Sequence, residues 1–120
     1  MRSFLLLLLA FHIPASAGEW IDLFDGESLD GWVQTTGGDA TYEVRDGAIV
    51  GFGANKTTFL SSERDFGDFE LVFEFKLDDA DLNSGVQIRS DPSPDAVQIK
   101  TLKGPQVELA KSPGRSGNIF

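Results

Sequence analysis

Polar side chains in the second half of the chain are of types that can carry out acid–base chemistry or bind a sugar. They recur at every second position of short apolar segments. These residues are Glu74, Gln87, Arg89, Gln98, Lys100, Gln106 and Glu108. A carboxylate can take up a proton, a cation can stabilise a developing anion, and side-chain amides can donate to and accept from sugar hydroxyls.

Four predicted strands must place these side chains, namely Phe69–Leu77, Gly85–Ser90, Ala96–Thr101 and Gln106–Ala110. Because successive side chains of a strand point to opposite faces of a sheet, neighbouring strands would form one apolar face and one polar platform. A merely solvated face of a β-sandwich is the alternative explanation. Long hydrogen-bonding groups dominate the polar face, whereas Ser and Thr are scarce there, which favours a ligand-binding platform.

The apolar side chains of these strands are expected to point to one core. They are Phe69, Leu71, Phe73, Phe75, Val86, Ile88, Val97, Ile99, Val107 and Leu109.

The first half of the chain also has the pattern of short strands separated by turns. The candidate strands are Trp20–Phe24, Thr41–Arg45, Ala48–Phe52 and Thr57–Ser61. Asp46-Gly47 is typical of a two-residue hairpin turn, which requires positive φ angles. No window of ten or more residues after the N-terminal segment has a helical period, so the sequence predicts an all-β fold.

The composition excludes several kinds of site and partner. The chain has 120 residues and a formal net charge of −9, which argues against nucleic acid as a partner. It has no cysteine, and its one histidine, His12, lies within the first 17 residues. The rest of the chain therefore cannot build a Cys/His zinc site, a Ser-His-Asp triad, a cysteine nucleophile or a disulfide.

The first 17 residues have the pattern of a signal peptide. Arg2 provides a basic start, Phe4 to Phe11 form an apolar run, and Ala15-Ser16-Ala17 is an Ala-x-Ala cleavage site. The apolar run is about half as long as a bilayer-spanning helix requires. We therefore expect a leader over residues 1–17 and a mature domain over residues 18–120. The protein is expected to be periplasmic or secreted, without stable membrane insertion.

Four blocks of the sequence together resemble the 3-keto-disaccharide hydrolase domain family, in which similar blocks follow one another in the same order. The blocks are Trp20–Trp32, Tyr42–Gly51, Phe66–Leu71 and Asn83–Val86. Gln106–Leu109 and Ser116–Phe120 resemble two further blocks, although Pro105 stands where an aromatic residue is common. The resemblance covers residues 19 to 120. It implies a concanavalin-like antiparallel β-sandwich (jelly roll) with a carbohydrate as substrate.

Domains of that family continue through further strands beyond the last of these blocks. We therefore expect this chain to be the N-terminal part of an incomplete sandwich. Expressed alone, such a fragment should be inactive and prone to aggregation, because open sheet edges pair with other chains.

The resemblance also implies a reaction and, together with the facing of the strands, roles for the polar residues. In a 3-keto-glycoside the ketone acidifies the C2 proton, so that a base can remove it, the aglycone can be eliminated and water can add back. The expected catalytic residues are Glu108 as base, Arg89 and Lys100 as enolate stabilisers, and Glu74 as an acid or metal ligand. The expected substrate-binding residues are Asn83, Gln87, Gln98 and Gln106.

Other functions stay open from the sequence. Glu74 and Glu108 could instead be the two carboxylates of an ordinary glycosidase. A non-catalytic carbohydrate-binding module is a further alternative, because concanavalin-like folds include lectins as well as hydrolases. A structural adhesion domain is a third. A divalent cation is left open as a cofactor.

Overall fold

The computed structural model describes residues 3–5, 19–35, 39–53, 58–79, 82–90, 102 and 104–119. These residues form seven strands and no helix. The strands are β1 (Ser3–Leu5), β2 (Trp32–Thr35), β3 (Thr41–Arg45), β4 (Ala48–Phe52), β5 (Phe59–Ser62), β6 (Asn83–Gln87) and β7 (Gln106–Ala110).

All strand pairs are antiparallel. The strand orders of the three sheets are β1-β4-β3, β2-β5 and β6-β7. The predicted all-β class is confirmed, and the arrangement is consistent with an incomplete β-sandwich. The part of the chain that the structure describes contains no helix that is long and apolar enough to cross a membrane.

The β3–β4 hairpin has the predicted strand bounds and the predicted turn. Asp46 has a φ of 50° and Gly47 a φ of 73°, and Arg45 pairs with Ala48 across the turn. A turn with positive φ at both central residues matches the right-handed twist of the flanking strands. Aspartate tolerates this conformation and glycine adopts it without a steric penalty.

The main apolar core is centred on Phe24 and Ile49, which are both buried. The partly buried residues that pack against these two are Leu23, Leu29, Trp32, Tyr42, Val44, Leu60, Leu71 and Phe73. Trp32 is also held by a hydrogen bond of 2.8 Å from its Nε1 to the Leu23 carbonyl. Burial raises the pKa of Tyr42, whose hydroxyl donates to the Thr58 carbonyl at 3.1 Å. The core thus joins the N-terminal loop, residues 19–31, to the β3–β4 hairpin and the β2–β5 pair.

The structure does not contain two of the predicted strands. Residues 20–24 and 69–77 form no strand, although Phe24 and Leu77 are buried. Between Phe69 and Leu77 the even-numbered residues are exposed and most odd-numbered ones are covered, with Phe75 as an exposed exception. An alternating pattern decides which side chains turn to the core, whereas a strand also requires a neighbouring strand with which to pair.

The other predicted segments differ in smaller ways. β2 was not predicted, because its four residues are too few to show an alternating pattern. In the structure Val33, its one aliphatic residue, is exposed. β5 lies slightly later than the predicted Thr57–Ser61. β6 begins two residues earlier than predicted and ends at Gln87, because the chain bends at Arg89, where φ is 51°. The predicted strand Ala96–Thr101, with Val97 and Ile99, lies outside the described residues.

Candidate functional site

The β6–β7 pair places several of the predicted site residues on one face. Its register sets Gly85 opposite Glu108 and Gln87 opposite Gln106. Because side chains alternate along each strand, these four positions share one face, whereas Val86, Val107 and Leu109 lie on the other. The bounds of β7 and its two faces agree with the sequence prediction.

Glu108 is nevertheless not part of a solvated surface. It is 4% exposed, and it is the single buried polar or charged residue within the described part of the chain. The next residue, Leu109, is equally buried and lies on the opposite face. β7 is therefore covered on both sides at this point, and the explanation of its polar face as mere solvated surface is wrong for Glu108.

Three side chains from separate segments donate hydrogen bonds to the Glu108 carboxylate. Asn83 Nδ2 donates to Oε1 at 2.9 Å, and Gln106 Nε2 donates to Oε2 at 3.1 Å. Arg115 Nη2 also donates to Oε1, at 3.3 Å. A carboxylate accepts about four hydrogen bonds, two on each oxygen. Among the described residues Oε1 thus has two donors, while Oε2 has one and keeps one acceptor position.

A turn that follows β7 brings Arg115 to this carboxylate. The chain folds back along β7, so that Glu108 N–H donates to the Asn118 carbonyl and Gly117 N–H donates to the Glu108 carbonyl, both at 2.9 Å. Ser116 also ties the turn to the end of β7 by two hydrogen bonds. Its hydroxyl donates to the Ala110 carbonyl at 2.6 Å and accepts from the Ala110 N–H at 2.9 Å. These bonds fix the backbone that follows Arg115, and the Arg115 N–H itself donates to the Ser112 carbonyl at 3.3 Å.

Gly85 makes room for one of the three donors. Both backbone hydrogen-bonding groups of Glu108 face the turn, so Gly85 and Glu108 form a non-hydrogen-bonded pair, the type in which facing residues are closest. A Cβ at Gly85 would overlap the Gln106 side chain, at Cγ and Cδ as well as Nε2. Gln106 therefore reaches Glu108 across the space that Gly85 leaves open.

The other predicted site residues are not joined to Glu108 by any contact that the described structure shows. Gln87 uses its side-chain amide to donate to the Leu102 carbonyl at 2.7 Å. Arg89 pairs with Asp68 at 2.7 Å on the surface, and Glu74 is exposed. Gln98 and Lys100 lie outside the described residues.

Sequence reasoning missed Arg115. It stands in a loop rich in small residues, Ser112-Pro113-Gly114-Arg115-Ser116-Gly117, which carries no alternating pattern. The available signal was the turn chemistry, because Gly114 and Gly117 have φ angles of 76° and 87° and allow a tight return toward β7. A charged residue within a turn that follows a candidate catalytic strand was therefore a reasonable site candidate.

A separate shallow cleft of about 250 Å³ lies between the N-terminal loop and the β2–β5 pair. The residues that line it are Asp22, Leu23, Asp30, Gly31, Ser62, Glu63, Arg64 and Phe66. It contains none of the predicted site residues. Within the described residues, no group of three or more His, Cys, Asp or Glu side chains is placed to hold a metal ion, in this cleft or elsewhere.

Comparison with known protein families identifies the chain. A family model described as 3-keto-alpha-glucoside-1,2-lyase-like domain matches residues 19–120. Searches of curated proteins and of solved structures give no match. The match begins just after the predicted leader and includes β6, β7 and the turn that surround Glu108. The chain belongs to the family of 3-keto-alpha-glucoside-1,2-lyase-like domains.

Proposed function

We propose that this chain carries the catalytic base, Glu108, of a secreted enzyme that cleaves 3-keto-glycosides by elimination followed by hydration. The observation that carries the proposal is the buried Glu108 carboxylate, held by three side-chain donors with one acceptor position left on Oε2. The family description, which names a lyase that acts between C1 and C2 of a 3-keto-glucoside, supports the class of reaction.

The proposed reaction has two steps. In the first, Glu108 Oε2 takes the C2 proton, and the electrons of the C2–H bond form an enolate with the C3 carbonyl. The enolate then re-forms the C3 carbonyl as it expels the C1 oxygen, which takes a proton from water and leaves as the free alcohol, giving a sugar with a C1–C2 double bond. Protonated Glu108 returns its proton to the hydroxide that this leaves. In the second step water adds across this bond, so that C1 gains a hydroxyl and C2 regains a proton.

The surroundings of Glu108 suit a general base. A base must be held at a fixed position toward the proton that it removes, and hydrogen bonds from Asn83 and Gln106 fix both oxygens of the carboxylate. Because each amide uses one N–H in this way, its carbonyl oxygen and its second N–H remain to bind sugar hydroxyls. Asn83 and Gln106 would then position the base and bind the substrate.

Secretion is part of the proposal. It is supported by the basic start, the apolar run and the Ala15-Ser16-Ala17 site at the N-terminus. An enzyme exported in this way would act on glycosides outside the cytoplasm.

The test is the substitution Glu108→Gln, assayed in the complete protein for release of the aglycone from a 3-keto-glucoside. Glutamine keeps the shape but cannot take a proton, so the rate should fall about 10²–10⁴-fold, the usual contribution of general acid–base catalysis. Glu43→Gln is the matched control, because Glu43 lies on the β3–β4 hairpin, where it pairs with Arg45. Equal rates for the two variants would refute the role of Glu108, as would weaker binding with unchanged turnover in Glu108→Gln.

A non-catalytic carbohydrate-binding module is the second candidate, and the cleft beside β2 favours it. Its lining combines carboxylates that can accept from hydroxyls, the Arg64 guanidinium, which can donate to them, and the Phe66 ring, over which the guanidinium lies at 5.5 Å. If this candidate is correct, the protein binds unoxidised saccharides without cleaving them. Phe66→Ala should then weaken binding measured by calorimetry, whereas Glu108→Gln should not.

A further inference from the structure

Arg115 lies between the buried carboxylate and solvent. Its side chain is 54% exposed, whereas the side chain of Glu108, which it contacts, is 5% exposed. A guanidinium has five N–H donors, and in the described structure one of them donates to Glu108 Oε1. The remaining donors are available to a ligand that approaches Glu108.

Arg115 contacts Oε1 of Glu108, so Oε2 of the same carboxylate remains to act as the base. Oε2 keeps an acceptor position, so the proton acceptor and the cation lie on the two oxygens of one carboxylate. The two oxygens are separated by two bonds through one carbon. C2 and the C3 oxygen of a 3-keto sugar are likewise separated by two bonds through C3. A substrate whose C2 proton faces Oε2 can therefore be oriented with its C3 oxygen on the side of Arg115, within reach of the remaining N–H donors of the guanidinium.

We propose that Arg115 donates a hydrogen bond to the C3 oxygen of the substrate and stabilises the enolate that forms there. This inference rests on the proposed role of Glu108 as base. When Glu108 takes the C2 proton, the C2–H electrons form a C2–C3 double bond and the negative charge moves to the C3 oxygen. A donor that is already in place opposite this oxygen lowers the barrier, because it needs no rearrangement as the charge develops.

Arg115 replaces Arg89 in this role. Arg89 lies beyond the end of β6 and pairs with Asp68, and it makes no contact with Glu108 in the described structure. Arginine also suits the position better than lysine would. The planar, forked guanidinium can donate hydrogen bonds to Glu108 and to the substrate at the same time. The ammonium of lysine is a compact point charge at the end of a flexible four-carbon chain.

The test compares Arg115→Met with Arg45→Met in the complete protein. Arg45 lies on the β3–β4 hairpin, pairs with Glu43 and stacks on Phe52, so its loss removes a similar charge away from Glu108. The primary readout is exchange of the C2 proton of a 3-keto-glucoside for deuterium, followed by NMR. The second readout is release of the aglycone.

Loss of an enolate stabiliser should lower both rates together. We expect a decrease of about 10²–10³-fold in Arg115→Met, the usual effect of removing one oxyanion donor. Arg115→Lys should retain part of the rate, and added guanidinium should partly restore the rate of Arg115→Met. Arg45→Met should exchange as the unchanged protein does. A merely structural role for Arg115 would lower the melting temperature and would show no rescue by guanidinium.

The outcomes separate this inference from the proposed function. If Glu108→Gln abolishes exchange but Arg115→Met exchanges at the wild-type rate, only the inference about Arg115 is wrong. If Glu108→Gln exchanges normally, the proposed base is wrong. If Arg115→Met fails to fold, Arg115→Gln keeps a donor toward Glu108 without the charge. An uncharged, shorter donor should stabilise the enolate less than arginine does, so that variant should also exchange more slowly than the unchanged protein, and wild-type exchange in it would overturn the inference.

Discussion

Gly85 lies directly opposite Glu108 in the β6–β7 pair, and the missing side chain at Gly85 is what allows Gln106 to reach the Glu108 carboxylate. Gly85 has no reactive side chain, yet the space that it leaves allows a hydrogen bond to Glu108, the proposed base.

Gly85→Ala should destabilise the protein and impair the site. The added Cβ would overlap Gln106, which must turn away and leave Glu108 Oε2 without its donor. Overpacking of this kind costs about 1–3 kcal/mol of unfolding free energy, measurable by urea titration. Gly67→Ala is the control, because a Cβ there meets no atom within 4 Å.

The effect of Gly85→Ala should also depend on Gln106. In a Gln106→Ala background the overlap is absent, so the added cost of Gly85→Ala should fall to within about 0.5 kcal/mol of zero. Equal costs in the two backgrounds would show that the overlap with Gln106 is not the cause.

The β3–β4 turn should be sensitive to substitution of Gly47. Its φ of 73° is unfavourable for residues with a Cβ, so Gly47→Ala should lower the free energy of unfolding by about 1–2 kcal/mol. Asp46→Asn should change it little, because asparagine also tolerates a positive φ. Urea unfolding of the two variants tests this, and similar midpoints would contradict the assignment of the turn.

Asp25 should make stability depend on pH in the acidic range. Its carboxylate accepts from the backbone N–H of Ser28, the backbone N–H of Glu27 and the Ser28 hydroxyl, and these bonds lower its pKa below the ordinary value of 3.8. A lowered pKa in the folded state means that the ionised carboxylate stabilises the fold. This stabilisation is present above the unfolded-state pKa and is lost as the pH falls through the folded-state pKa.

Asp25→Asn should therefore lower the urea midpoint at neutral pH, and the difference from the unchanged protein should shrink as the pH approaches about 2. Asp65→Asn, a substitution at another exposed aspartate, is the control for a general loss of charge. A difference that stays constant from neutral to acidic pH would rule out the proposed linkage.

Export should remove the first 17 residues. Sequencing of the exported protein is expected to give Gly18 as its first residue, because Ala15-Ser16-Ala17 precedes it. Cleavage there would also remove β1, which pairs with β4, and would leave β4 at the edge of its sheet. An exported protein that still begins at Met1 would show that the leader is retained.

Local patterns predicted those parts of the structure that depend on local geometry. Asp46-Gly47 specified a hairpin because the turn is set by two residues, and the alternation in Gln106–Ala110 placed Glu108 and Leu109 on opposite faces. Residues 69–77 alternate just as clearly but form no strand. Pairing depends on a distant partner that the pattern does not specify.

In the candidate site, too, the sequence predicted what depends on local geometry and not what depends on the path of the chain. Asn83, Gln106 and Glu108 were predicted as site residues, and the structure joins them by hydrogen bonds. The burial of Glu108 and its contact with Arg115 depend on the path of the chain after Ala110, which bends back along β7. No alternating pattern encodes that path, so the sequence predicted neither the burial nor the contact.

Removal of the C2 proton is the step of the proposed reaction that distinguishes it from ordinary glycoside hydrolysis. Ordinary glycoside hydrolysis leaves the C2–H bond intact, whereas elimination and hydration replace that proton with one from solvent. Cleavage of a 3-keto-glucoside in D₂O separates the two routes. Samples of the product sugar kept without enzyme give the background of spontaneous exchange.

We expect the sugar released by the complete protein to carry one deuterium at C2. We also expect Glu108→Gln to lower the rate of this incorporation about 10²–10⁴-fold, while Glu43→Gln leaves it unchanged. A released sugar without deuterium at C2, formed at the full rate, would contradict elimination. Undiminished incorporation in Glu108→Gln would contradict the assignment of Glu108 as the base.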